Sequence, residues 1–89
     1  MNKINKAINR IRRLECPTGE IEKSVALILE DYGIAGKSEV NIDRDNTLDR
    51  DEAQAYRVKI TGEDQSIVVL ARSGYDDYVA KVVDAYRFS

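Results

Sequence analysis

Five consecutive apolar residues, Ile67-Val68-Val69-Leu70-Ala71, most constrain what this 89-residue chain can fold into. A strand sends alternate side chains to opposite faces, so an unbroken apolar run puts apolar groups on both. The run therefore suits a strand covered on both sides. It is far shorter than the roughly 20 apolar residues of a membrane-spanning helix. Upstream, Tyr56, Val58 and Ile60 alternate with Arg57, Lys59 and Thr61, the cleanest period of two in the chain. Val40 and Ile42 alternate in the same way with Glu39, Asn41 and Asp43. Asp45 to Glu52 is polar and reads as loop, and Gly62-Glu63-Asp64 reads as a turn. Strands joined this closely predict an antiparallel meander.

Helical spacing frames these strands. Ile4, Ala7, Ile8, Ile11 and Leu14 form one stripe over residues 3–15. Pro17 ends that helix by disfavouring the helical conformation in the residue before it. Thr18 then caps a second helix, with Glu20 and Glu22 near the positive end of its dipole. Ile21, Val25, Ile28, Leu29 and Tyr32 make its apolar stripe, and Gly33 suits the position just past its end. Ser73-Gly74-Tyr75-Asp76 resembles a capping box, and Tyr75, Tyr78, Val79, Val82, Val83 and Tyr86 share one face of an expected closing helix. The predicted fold is α+β in the order α-α-β-β-β-α, a three-stranded antiparallel meander with helices packed on it. Its outer face, with Arg57, Lys59 and Thr61 beside Val68 and Leu70, is half apolar and invites a partner or a second copy.

Residues 18–88 alone give α-β-β-β-α, an order that resembles the double-stranded-RNA-binding domain after an extra N-terminal helix. The resemblance is one of topology. That family grips phosphates with a lysine-rich start to its last helix, where this chain has Tyr75-Asp76-Asp77-Tyr78. The loop that the family sends into the minor groove is here Asp45-Asn46-Thr47-Leu48-Asp49-Arg50-Asp51-Glu52, which phosphate repels. The shape carries over and the RNA function does not.

Length predicts one domain, residues 1–89, with no repeat, linker or low-complexity tract. Charge is uneven. Residues 1–14 hold Lys3, Lys6, Arg10, Arg12 and Arg13 and no acid, which is +5. The remainder sets nine basic residues against sixteen acidic ones, −7, for a net −2. A basic amphipathic helix over residues 1–16 on an acidic body makes a bipolar surface suited to oligomer or partner contacts. The lone Cys16 closes no intramolecular disulfide and fits a reducing cytoplasm. No apolar segment follows the basic start, so no signal peptide is expected.

Chemical motifs fail on inspection. Gly36-Lys37-Ser38 lacks the preceding glycine of a phosphate loop, since that position is Asp31, and a helix precedes it where a strand is needed. A calcium loop begun at Asp43 puts Leu48 at the sharp-turn glycine and Gln54 at the bidentate glutamate. With no His and one Cys, a zinc site cannot start, and Cys16 has no base to activate it. The expectation is a non-enzyme without metal or cofactor.

What remains are surfaces. The basic flank Lys3, Lys6, Arg10 and Arg13 suits an acidic protein or phosphate, although a solvated helix rim carries the same charges. The acidic loop, through Asp45, Asp49 and Asp51, offers an epitope to a basic partner. Arg57, Lys59 and Arg72 with Tyr75 and Tyr78 form an alternative anionic-ligand site. The leading expectation is a small interaction protein that blocks a macromolecule stoichiometrically, in the manner of phage or mobile-element accessory inhibitors. The alternative is an oligomeric protein that sequesters a small anion such as a signalling nucleotide. Nucleic-acid binding through the basic helix alone ranks third, because the chain is net acidic with a pI of about 5.1.

Overall fold

The computed structural model describes residues 3–73 and 78–88. It is α+β, with helices α1 (Lys3–Ile11) and α2 (Ile21–Asp31) and strands β1 (Glu15–Pro17), β2 (Val40–Arg44), β3 (Gln54–Ile60), β4 (Ser66–Ser73) and β5 (Val79–Phe88). The strands form one curled antiparallel sheet in the order β1-β5-β4-β3-β2. No helix among the described residues is long and apolar enough to cross a membrane.

The expected three-stranded meander with a closing helix is corrected at two places, and with it the order shared with the RNA-binding family. Residues 79–88 are a strand, and the N-terminal part of the expected closing helix falls on 74–77, outside the described residues. The misreading has a geometric cause. Pairing runs Leu70 with Asp84 and then Ala71 with Val82, so Val83 is an extra residue on β5. This β-bulge shifts the alternation by one, and the buried positions become Ala80, Val82 and Ala85. Steps of two and then three imitate a helical stripe. Composition pointed the other way, because Val79, Val82, Val83, Tyr86 and Phe88 are β-branched or aromatic.

The second correction lies at residues 12–20. α1 stops at Ile11, and Glu15-Cys16-Pro17 pairs with Val79–Lys81 as an edge strand. Pro17, which has no N–H, is tolerated at an edge. The N–H of Thr18 donates to the Tyr78 carbonyl at 2.8 Å, prolonging that pairing, so Thr18 does not cap α2. Glu20 occupies the N-cap position without a side-chain cap bond. The other end of α2 is as expected. Gly33 has φ +69°, its N–H donates to the Glu30 carbonyl, and that of Ile34 donates to the Leu29 carbonyl. That is a Schellman termination, and it needs a residue at ease with positive φ.

Both helices cover one face of the sheet. Ala7, Ile8, Ile11 and Leu14 meet Val25, Ile28 and Leu29 over Val58, Ile67, Val69 and Val82. The opposite face has its own small core of Ala53, Ala55, Val68 and Leu70, edged by Leu48, Tyr86 and Phe88. Val68 and Leu70 are 0% and 1% exposed. The run Ile67–Ala71 is thus covered on both sides, but the second cover comes from this chain's own loop, residues 45–53, and two aromatic rings. A reversal at Arg50–Ala53 folds that loop back, with φ +51° at Asp51 and +68° at Glu52.

The edges of the sheet differ. On β5, β1 takes residues 79–81 and the Val82 N–H donates to the Leu14 carbonyl. Beyond that, Arg12 Nε donates to the Ala85 carbonyl at 2.9 Å and the Ala85 N–H donates to Asp84 at 2.8 Å. Side chains stand in for a missing strand there, which blunts the edge against pairing with another chain.

Two outcomes test this packing. Leu70→Ala lowers unfolding free energy by about 2–4 kcal/mol in urea denaturation, because Leu70 is closed in between the sheet and the loop. Were Leu70 open to solvent, the loss would stay within about 0.5 kcal/mol. Glu52→Gly raises stability by about 0.5–1 kcal/mol in the same assay, since both central residues of the reversal have positive φ and glycine is preferred there.

Candidate functional site

α1 is oriented by its apolar stripe. With Ala7, Ile8 and Ile11 buried, the three-and-four spacing of Lys3, Lys6, Arg10 and Arg13 turns them along one exposed flank. Past Ile11 the chain tightens, with the Arg13 N–H donating to the Arg10 carbonyl, so Arg13 stays on that flank. Lys3 lies over the end of α2: its Nζ is 3.9 Å from where a Cβ on Gly33 would stand. A cation there complements the negative end of a helix dipole.

Lys6, Asn9, Arg10 and Arg13 line a depression of about 240 Å³ whose far wall is Tyr32. Among the described residues, no acidic side chain lines it. Among the described residues, none forms an ion pair with Lys3, Lys6, Arg10 or Arg13. Asn9 is held from behind by Arg12, whose Nη1 donates to its Oδ1 at 3.1 Å. Tyr32 is fixed as the last residue before the Schellman turn, half-buried against the core.

The acidic loop is arranged differently. Arg44 grips Asp49 through two bonds of 2.7 Å, and Asp49 also accepts the Ala55 N–H at 2.8 Å. Asp45 accepts both the hydroxyl and the N–H of Thr47 and lies 3.8 Å from Arg57. Arg50 reaches Asp84 at 2.9 Å, and Arg72 donates to the Asp51 carbonyl at 3.0 Å. The carboxylates of Asp45 and Asp49 are therefore spent on holding the loop down. The Thr47 hydroxyl lowers the Asp45 pKa, and the Arg44 guanidinium, followed by the Ala55 N–H, lowers that of Asp49. Asp49 in turn raises the Arg44 pKa.

Among the described residues of the alternative anion site, the three cations have separate surroundings. Arg57 lies with its guanidinium carbon 5.1 Å from the centre of the Phe88 ring, and its buried Nε has no hydrogen-bond partner there. Facing a ring takes the place of one. Arg72 is engaged on Asp51. Lys59 borders a groove of about 650 Å³ at the end of the sheet, where Glu39, Glu63 and Asp64 outnumber it. Tyr78 is 76% exposed, and Tyr75 lies outside the described residues. Among the described residues, no three His, Cys, Asp or Glu side chains come together to hold a metal ion.

Sequence reasoning found the four cations and missed two of their companions. Asn9 stands three residues after Lys6 and four before Arg13, the spacing that groups the cations, but a pattern of charge alone passes over a neutral side chain. Tyr32 was assigned wholly to the core. Compared with known proteins, the chain matches no protein-family model, no curated protein and no solved structure.

The loop geometry sets an acid limit on stability. Carboxylates whose folded pKa is depressed contribute stability that is complete above the unfolded value of about 3.9 and is lost as pH falls through the folded one. The melting temperature of the wild type therefore drops below about pH 4. Asp49→Asn melts lower at neutral pH and shows a shallower acid limb. Parallel curves for the two proteins would show that Arg44 and Asp49 do not hold the loop.

Proposed function

We propose that this chain is a non-enzymatic interaction protein that docks an acidic patch of another protein onto the α1 flank Lys3, Lys6, Arg10 and Arg13. A single observation supports this. In a net-acidic molecule whose Arg44, Arg50, Arg57 and Arg72 are engaged, these four cations lie together on one exposed flank and form no ion pair among the described residues. Charge of that kind accelerates encounter and selects partners of opposite sign. The protein acts by stoichiometric binding, blocking or scaffolding what it holds.

A folded protein fits better than a nucleic acid. A polyanion longer than α1 runs off the flank onto a body that carries −7 outside residues 1–14. Non-specific nucleic-acid affinity needs several phosphate contacts in a row.

The reading is tested by capture from a lysate of the source cells with the tagged protein, wild type against Lys6→Glu with Arg10→Glu. Both substituted side chains are exposed, so the variant keeps its melting temperature to within a few degrees. The wild type retains a protein at fixed stoichiometry, and the variant loses it at least tenfold. Retention by the folded variant would refute docking through this flank. Capture that vanishes on nuclease treatment would move the partner to nucleic acid.

A further inference from the structure

Resting on the reading that the α1 flank docks an anion, we infer that the depression between α1 and Tyr32 is a subsite for a phosphoryl group carried by the partner. Charge balance comes first. Lys6, Arg10 and Arg13 bring three formal positive charges to about 240 Å³, with no acid in the lining among the described residues. One carboxylate brings a single negative charge to such a space. A phosphoryl monoester brings roughly 1.5 to 2, with three strong acceptor oxygens.

Donor chemistry points the same way. Two guanidinium forks match the oxygens of a phosphate in pairs, which a compact ammonium does not. Lys6 adds a point charge. Along a helix Lys6 and Arg10 are about 6 Å apart, close enough for both side chains to reach one phosphoryl group. The neutral donors complete the set. Because Arg12 occupies the Asn9 carbonyl oxygen, the unengaged end of that side chain is its donor NH₂ group. The Tyr32 hydroxyl is the other, and it has no partner among the described residues.

The walls are also stiff. The cations stand on a segment whose other side is closed into the core by Ala7, Ile8, Ile11 and Leu14. Tyr32 is anchored by the Schellman turn that follows it. A backbone already held in place leaves only side-chain freedom to be lost on binding. Four other arginine forks differ in this respect. Arg44, Arg50 and Arg57 face carboxylates, and Arg72 holds a carbonyl.

The experiment is an amide NMR titration of the full chain with inorganic phosphate, with chloride and acetate at matched ionic strength. A second arm compares an acidic peptide carrying phosphoserine with its unphosphorylated form. Phosphate is expected to give saturable shifts at Lys6, Arg10, Arg13 and Tyr32 that the control anions do not give. The phosphopeptide binds at least tenfold tighter than its plain form. Arg10→Gln with Arg13→Gln weakens phosphate at least tenfold, and Tyr32→Phe weakens it severalfold without lowering the melting temperature. Equal shifts with chloride, or a double variant that still binds phosphate normally, overturn the subsite. Phosphate bound as tightly as the phosphopeptide would place the group on a small free ligand, and duplex DNA bound more tightly would place it on a nucleic acid. Either overturns the assignment to a protein. A flat phosphate titration beside capture that still needs Lys6 and Arg10 removes this subsite alone. Capture indifferent to charge reversal removes the docking reading beneath it.

Discussion

Burying Ile67–Ala71 on both faces takes two covers, and the rest of the fold follows from how differently they are built. On one side Ile67, Val69 and Ala71 meet two helices that bring long aliphatic side chains. On the other, Val68 and Leu70 meet Ala53 and Ala55, side chains so small that a short loop and two rings suffice to exclude water. That second cover contains many charged groups. It holds because charges near the apolar patch are partnered: Arg44 with Asp49, Arg57 with Asp45 and Phe88, Arg50 with Asp84 and Tyr86. Arginine suits such a roof, since its stem and flat head cover a ring while its edge reaches a carboxylate.

The roof consumes the groups that composition alone presents as a surface. An acidic loop reads as an epitope and a row of arginines as a ligand site, but Asp49 pairs with Arg44 and Asp45 with Arg57. The α1 flank is different: it gathers four cations that form no ion pair among the described residues. Electrostatic interactions are strongest for the anion that finds no competitor, so the flank is where an external ligand gains most. Asp84 makes the same point from the opposite side. It sits beside the β5 bulge and serves both Arg50 of the loop and Arg12 at the end of α1, tying the two covers together at the sheet's edge.

Periodicity was informative where one rule governs a segment throughout. α1 and α2 keep a stripe at helical spacing, β2 and β3 alternate strictly, and Ile67–Ala71 is apolar without interruption, so all five were legible. β5 was not, because one extra residue at Val83 changes the phase midway and makes two half-strands look like one helix. β1 was hidden by its three residues, too few for any period, and by a proline that an edge position tolerates. Of the candidate site, Lys6, Arg10 and Arg13 were legible because one helical segment sets their neighbourhood. Tyr32 was not, since it joins them from a second helix.

By itself, then, the sequence determined the α+β class, the double burial of β4, the end of α2 at Gly33 and the basic flank of α1. Each is a local pattern that backbone geometry converts directly into a face. The tertiary structure alone decided the fifth strand and the second edge, the loop laid across the outer sheet, and which charges are cancelled and which are free. Those depend on distances between residues tens of positions apart, such as Arg12 with Ala85 and Arg50 with Asp84. Spacing along the chain does not encode whether two such groups meet. Packing does, because a carboxylate and a guanidinium cancel only when the layers beneath them bring the two within reach.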